Sequence, residues 1–138
     1  MKEHIALIIT NEKNQTLFIQ RSLTKKTIPG AWSFPSGTVE ENENPNKTAI
    51  REAFEELNIK IIPEKIIATK ELPEFNVKLS FMICKIKENI PTIKEPQEIE
   101  QIDWMKWEEF FNRFTDNEIG HGLIWLRKNP EIWEKYNL

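Results

Sequence analysis

Residues 37–59 read GTVEENENPNKTAIREAFEELNI, and a helix is written into the second half of that stretch. Asn44 and Pro45 supply an N-cap and a first helical position, and the spacing that follows predicts a helix to about Leu57. Asn58 stands where helices commonly hand over to glycine, and Asn is the other residue that tolerates the left-handed backbone of that cap. Stepping 100° per residue from Glu52 puts Glu55 at about −60° and Glu56 at about +40°, so three carboxylates share one narrow face. Ala53, Leu57, Ile50 and Phe54 fall between roughly 100° and 200°, which predicts an apolar stripe opposite the acidic one. Glu52 and Glu56 form a like-charge pair at i,i+4, a spacing at which solvated faces usually mix signs. In water that pair costs only a few tenths of a kcal/mol, so the helix alone leaves a plain solvated face and a ligand-binding face both open.

The residues just upstream weigh in favour of a ligand. The chain has only four glycines, where average usage of about 7% would give roughly ten. Two of them, Gly30 and Gly37, lie with Pro29 and Pro35 in a stretch that reads as a long ordered loop over residues 22–44, with a short strand at Trp32 to Phe34. Loops of that length inside a small domain are usually functional. Clustered carboxylates offer the hard oxygen ligands that suit Mg²⁺, and a glycine-bearing bend can present a backbone carbonyl to the same ion. Gly37, Glu43 and the helix glutamates therefore form one candidate metal site.

Further out, His4 to Thr10 and Thr16 to Arg21 are apolar runs flanking the polar cluster at residues 11–15, which predicts two strands and a turn. Residues 61–72 and 75–87 are rich in β-branched and aromatic side chains and predict two more, and Ile99 to Met105 a last one. Helical spacing returns at Trp107 to Phe114 and at Glu118 to Lys128, the latter stopped by Pro130. The order predicts a mixed sheet with helices on both faces, in a single α/β domain over residues 1–138. Net charge is −3 from 19 basic and 22 acidic residues, which gives no basic surface for polymeric nucleic acid. The longest apolar run, Ile5 to Ile9, is too short to span a bilayer. The N-terminus shows no small-residue cleavage site, and the single cysteine, Cys84, excludes a disulfide framework; a cytoplasmic location is expected.

The quoted stretch closely resembles the Nudix box, written G-x5-E-x7-R-E-U-x-E-E-x-G-U with U an apolar residue. Gly37, Glu43, Arg51, Glu52, Ala53, Glu55, Glu56 and Ile59 match, and Asn58 replaces the last glycine. The lead-in from Pro29 to Gly37 also looks like the family's, with Ser36 where a first glycine is common. The resemblance implies a Nudix-type α/β/α sandwich with a mixed β-sheet, and a hydrolase of nucleoside diphosphates linked to another group, working through bound Mg²⁺ or Mn²⁺. On that reading Gly37, Glu52, Glu55, Glu56 and Glu98 are metal-site candidates. Glu52 and Glu55 are catalytic candidates, with Glu52 able to serve instead as proton acceptor, and Arg51 orients Glu52 or Glu43 by charge-assisted hydrogen bonds. Glu98, six residues before Trp104, is placed like the loop glutamate of MutT-like members, although Glu95 and Glu100 lie nearby.

Substrate-binding candidates are Arg21, Phe34 and Asn117. Arg21 ends a strand and can meet a phosphate. Phe34 and Trp32 flank the loop and read equally as base-stacking or core side chains. Asn117 looks like the asparagine that reads a purine edge in MutT, and also reads as the N-cap of the helix beginning near Glu118. His4 and His121 have no partner spacing and receive no role. The leading expectation is a MutT-like enzyme that takes a small nucleotide substrate, a nucleoside triphosphate such as an oxidised purine form, to the monophosphate and pyrophosphate. An ADP-ribose or nucleotide-sugar pyrophosphatase, and a non-catalytic Nudix-fold binding module, are the alternatives. Trp107, Trp125 and Trp133 read as core, substrate wall or the contact of a homodimer.

Overall fold

A computed structural model describes residues 1–138. Its strands are β1 (Lys2–Thr10), β2 (Thr16–Arg21), β3 (Trp32–Ser33), β4 (Ser36–Thr38), β5 (Lys60–Leu72), β6 (Val77–Glu88) and β7 (Ile99–Met105). Its helices are α1 (Pro45–Leu57), α2 (Trp107–Arg113) and α3 (His121–Lys128). The strands form one mixed seven-stranded sheet in the order β3-β2-β1-β6-β5, with β4 paired to β1 and β7 to β2. Only β1 and β6 run parallel, in register from Lys2 opposite Val77 to Thr10 opposite Lys85.

The central strand shows why the sheet must be covered on both sides. Ile5, Leu7 and Ile9 of β1 pack with Ala49, Ala53 and Leu57 of α1. Ala6 and Ile8 face the other way, into a core with Phe81, Trp107, Phe110, Leu123 and Leu126. All five β1 side chains are buried, as alternation predicts for a strand sandwiched between helical layers. Trp107 is fully buried, and its indole N–H donates to Thr16 Oγ1 at 2.8 Å, which leaves no unpaired polar atom there.

The ends of α1 are those expected. Asn44 Oδ1 accepts from the Lys47 amide at 2.9 Å, Pro45 opens the helix, and Asn58 closes it at φ 57°, ψ 38°. Asn is in fact the chain's general substitute for glycine: Asn14, Asn42, Asn58, Asn76, Asn89 and Asn137 all have positive φ. That use explains how a sheet-rich chain turns so often with only four glycines.

Three expectations need correcting. The loop over 22–44 contains a second short strand, β4, which alternation could not reveal in three residues. The last helix does not start near Glu118: residues 116–118 form a 3₁₀ turn, Ile119 is extended and bridges Trp32, and α3 begins after Gly120. Thr115 and Glu118 close that turn as a capping box, so Asn117 caps nothing. The acidic and apolar faces of α1 are not opposite. Thr48, Ala49, Ala53 and Leu57 are buried while Ile50 and Phe54 are 45% and 46% exposed, so the buried stripe lies beside the glutamates. Small residues let the helix approach the sheet along that side, which turns Glu52 and Glu56 inward and leaves Glu55 exposed. The outer strand β5 carries Pro63 and three breaks in its register with β6.

Candidate active site

Alternation across β4 sets the site. Gly37 pairs with Ile5 and faces α1, whereas Ser36 and Thr38 pair with Ala6 and His4 on the opposite face. A methyl built on Gly37 would lie 2.1 Å from the Glu52 carboxyl carbon. The glycine is therefore required by the close passage of that side chain, and any larger residue would displace it.

Arg51 organises the carboxylates. Its Nε donates to Glu43 Oε2 at 2.7 Å and its Nη2 to Glu43 Oε1 at 3.0 Å, a two-point pairing. Nη1 donates to Glu52 Oε1 at 2.7 Å and Glu55 Oε2 at 3.3 Å, and Nη2 also reaches the Thr38 carbonyl at 3.0 Å. One guanidinium thus ties α1, the loop glutamate and β4 together. The Arg51 hydrogen bonds, with one from Thr48, hold the Glu43 carboxyl down at about 2.

Glu52 and Glu56 are shifted the other way. Burial raises the Glu52 carboxyl, with Arg51 opposing. Burial pushes Glu56 well above the usual carboxylate range, and Glu52, Glu95, Glu98 and Glu55 add to the effect. Glu56 Oε2 is the one buried side-chain oxygen or nitrogen without a hydrogen-bond partner. A buried, bare carboxylate oxygen among four other carboxylates is costly unless a cation joins it. The donor set is entirely oxygen, which suits a hard divalent ion. No three acidic, histidine or cysteine groups surround a common point, and one oxygen each of Glu52 and Glu55 is bonded to Arg51.

Glu98 lies beside this cluster, paired with Lys25 Nζ. Its carbonyl accepts from the Ser22 amide, which pins the two loops to each other. Arg21 is held by the carbonyl and hydroxyl of Thr27, at 2.9 and 3.0 Å from Nη2. Burial lowers its pKa, and the charges of Glu98 and Glu56 counter that. Arg21 also lines a cavity of about 250 Å³ on the far side of β4, with Phe34, Phe75, Phe81, Leu79 and Leu123 among its apolar walls.

The other sequence candidates fall as follows. Phe34 is 4% exposed, stacked on Phe18 at 5.6 Å and tilted against Trp107 at 5.4 Å: it is a core residue whose outer edge forms the cavity floor. Trp32 is buried and stacked on Phe114. Asn117 is not brought to the site; it borders a shallow polar hollow beside Asn112, Asp116 and Arg127. Sequence reasoning missed Lys25, Thr27, Thr38 and Thr48, and gave no role to two histidines that line the cavity. His4 is tied by its Nε2 to Thr38 Oγ1 at 3.1 Å. Their signal lies in strand register and loop contacts, which no residue spacing carries.

A family model described as the NUDIX domain matches residues 2–124. The chain is 28% identical over 117 residues to Nudix hydrolase 2 of Arabidopsis thaliana, an alignment covering 82% of this chain and 42% of that protein. It thus spans less than half the length of that relative. It is 31% identical over 96 residues to the 8-oxo-dGTP diphosphatase of Proteus vulgaris, covering 68% of this chain and 86% of the relative. The crystal structure of a MutT protein from Methanosarcina mazei Go1 superposes with a TM-score of 0.75 at 22% identity, over 99% of this chain and 94% of the other, a likeness of fold alone.

Proposed function

The chain belongs to the Nudix family, and from that membership we propose that it is a divalent-cation-dependent pyrophosphohydrolase of nucleoside triphosphates, releasing the monophosphate and pyrophosphate. The observation that carries this reading is the bare, buried Oε2 of Glu56 among Glu52, Glu55, Glu95 and Glu98. Glu55, Glu56 and Glu98, with the Gly37 carbonyl, would hold Mg²⁺ or Mn²⁺, which frees Glu52 to act as the base. When bound, such an ion screens phosphate charge and makes water a stronger acid.

The chain's own groups do the rest. Arg51 fixes one oxygen of Glu52 and leaves the other to accept the proton of the attacking water. Arg21, in the wall of the cavity, neutralises a phosphate of the substrate whose nucleoside enters it. The cavity receives the nucleoside. An oxidised purine triphosphate, the substrate in the name of the Proteus relative, is one member of this class.

Product analysis on a nucleotide panel with Mg²⁺, Mn²⁺ or chelator tests the proposal. We expect pyrophosphate and nucleoside monophosphate, with the reaction abolished by chelator. Orthophosphate as the product from triphosphates, or turnover of ADP-ribose alone to AMP and ribose phosphate, would reject it.

A further inference from the structure

The mouth of the cavity is formed by an aromatic pair. Phe75, in the 3₁₀ turn between β5 and β6, has its ring centroid 5.0 Å from that of His121, at 45°. Phe75 is 46% exposed although large and apolar, and His121 is exposed as well. The backbone fixes the position of His121. A methyl on Gly122 would come within 3.0 Å of Leu79 and Phe81, and one on Gly120 within 3.4 Å of Ser33, so the start of α3 rests directly on β3 and β6.

Six polar side chains line the cavity: His4, Arg21, Thr27, Ser33, Ser36 and His121. Four of them already have partners within the protein. His4 is bonded to Thr38, Arg21 and Thr27 to each other, and Ser33 Oγ donates to the Phe34 carbonyl at 3.3 Å. Ser36 and His121 remain. No Asp, Glu, Asn or Gln lines the walls, yet those are the side chains that read a base edge through paired donors and acceptors. Aromatic walls, by contrast, attract the face that every base shares.

We propose that this cavity is a base-tolerant stacking site, in which the Phe75–His121 pair offers one continuous face to the aromatic ring of the substrate whatever its edge and so sets specificity. The inference rests on the pyrophosphohydrolase reading and adds to it that purines and pyrimidines, ordinary or oxidised, are accepted alike. An apolar pocket distinguishes similar occupants by roughly 10- to 200-fold, whereas a hydrogen-bonded one rejects mismatches by about 10⁴-fold or more.

Two measurements on the full chain test it. Steady-state hydrolysis of dATP, dGTP, dCTP, dTTP and oxidised dGTP should give kcat/KM values within about 10²-fold of one another. Phe75→Ala and His121→Ala should each raise KM for all five about tenfold with kcat little changed, and His121→Phe should restore KM. Titration of the ¹H–¹⁵N spectrum with AMP, GMP, CMP and UMP should shift the Phe75, Gly120 and Gly122 amides with all four, whether or not the protein turns over triphosphates. Tolerant binding without turnover would reject the enzymatic reading and uphold the stacking site. Turnover with more than 10³-fold preference for one base, a His121→Phe defect confined to one base, or shifts that avoid these amides would overturn the stacking site and leave the enzyme standing.

Discussion

Glu43, which Arg51 holds, and Glu56, which Arg51 does not reach, answer to opposite forces. Glu56 is pressed by burial and by four like charges, so its neutral isostere should relieve the folded chain while removing a ligand. We expect Glu56→Gln to melt a few degrees higher than the wild type in chelator, by calorimetry, and to lose at least ~10²-fold in turnover with Mg²⁺. A variant that melts lower and hydrolyses normally would contradict both roles. Glu43 is depressed from an ordinary 4.5 to about 2, so it stays ionised in the folded chain where the unfolded chain binds a proton. The stability it confers is complete above about pH 4.5 and disappears as pH falls toward 2. Melting temperatures across that window should fall more steeply for the wild type than for Glu43→Gln, and parallel curves would remove Glu43 from the acid response.

At the scale of the element, α1 and β4 act as one unit because Gly37 admits the Glu52 side chain. Gly37→Ala must drive Glu52 out of its berth, since the added carbon would overlap the carboxyl group. The expected result is a loss in kcat of ~10²-fold or more with the far-ultraviolet circular dichroism of the wild type; preserved kcat would show that Glu52 does its work from another position. Asn58→Gly should be neutral, whereas Asn58→Ala, forced into φ 57°, should cost about 1 kcal/mol in urea denaturation. The helix, its caps and the identity of its acidic residues were legible in residues 37–59, because capping and 3.6-residue periodicity are local properties. The direction in which the acidic face points was not. Ala49 and Ala53 permit a closer approach to the sheet than Ile50 and Phe54 do, and only the packed sheet selects that side. The short strand β4, the placement of Asn117 and the cavity-lining histidines depend likewise on register between segments distant in sequence.

Across the whole molecule, the two helical layers serve different ends. The layer of α1 carries the carboxylates, and the start of α3 on the opposite face walls the cavity that Arg21 also lines. No helix is long and apolar enough to cross a membrane. Cation binding to the folded chain alone should raise its stability, by about 2.7 kcal/mol at a hundredfold excess over Kd. Mn²⁺ or Mg²⁺ is therefore expected to lift the wild-type melting temperature by several degrees and that of Glu56→Gln by much less; equal shifts would place the ion elsewhere. The outermost strand has a separate consequence. Pro63 lacks an amide proton, and three interruptions skew β5 from a regular ladder, so a stray chain finds no continuous template there. Fibril growth by lateral recruitment is thereby discouraged at the longest open border of the sheet.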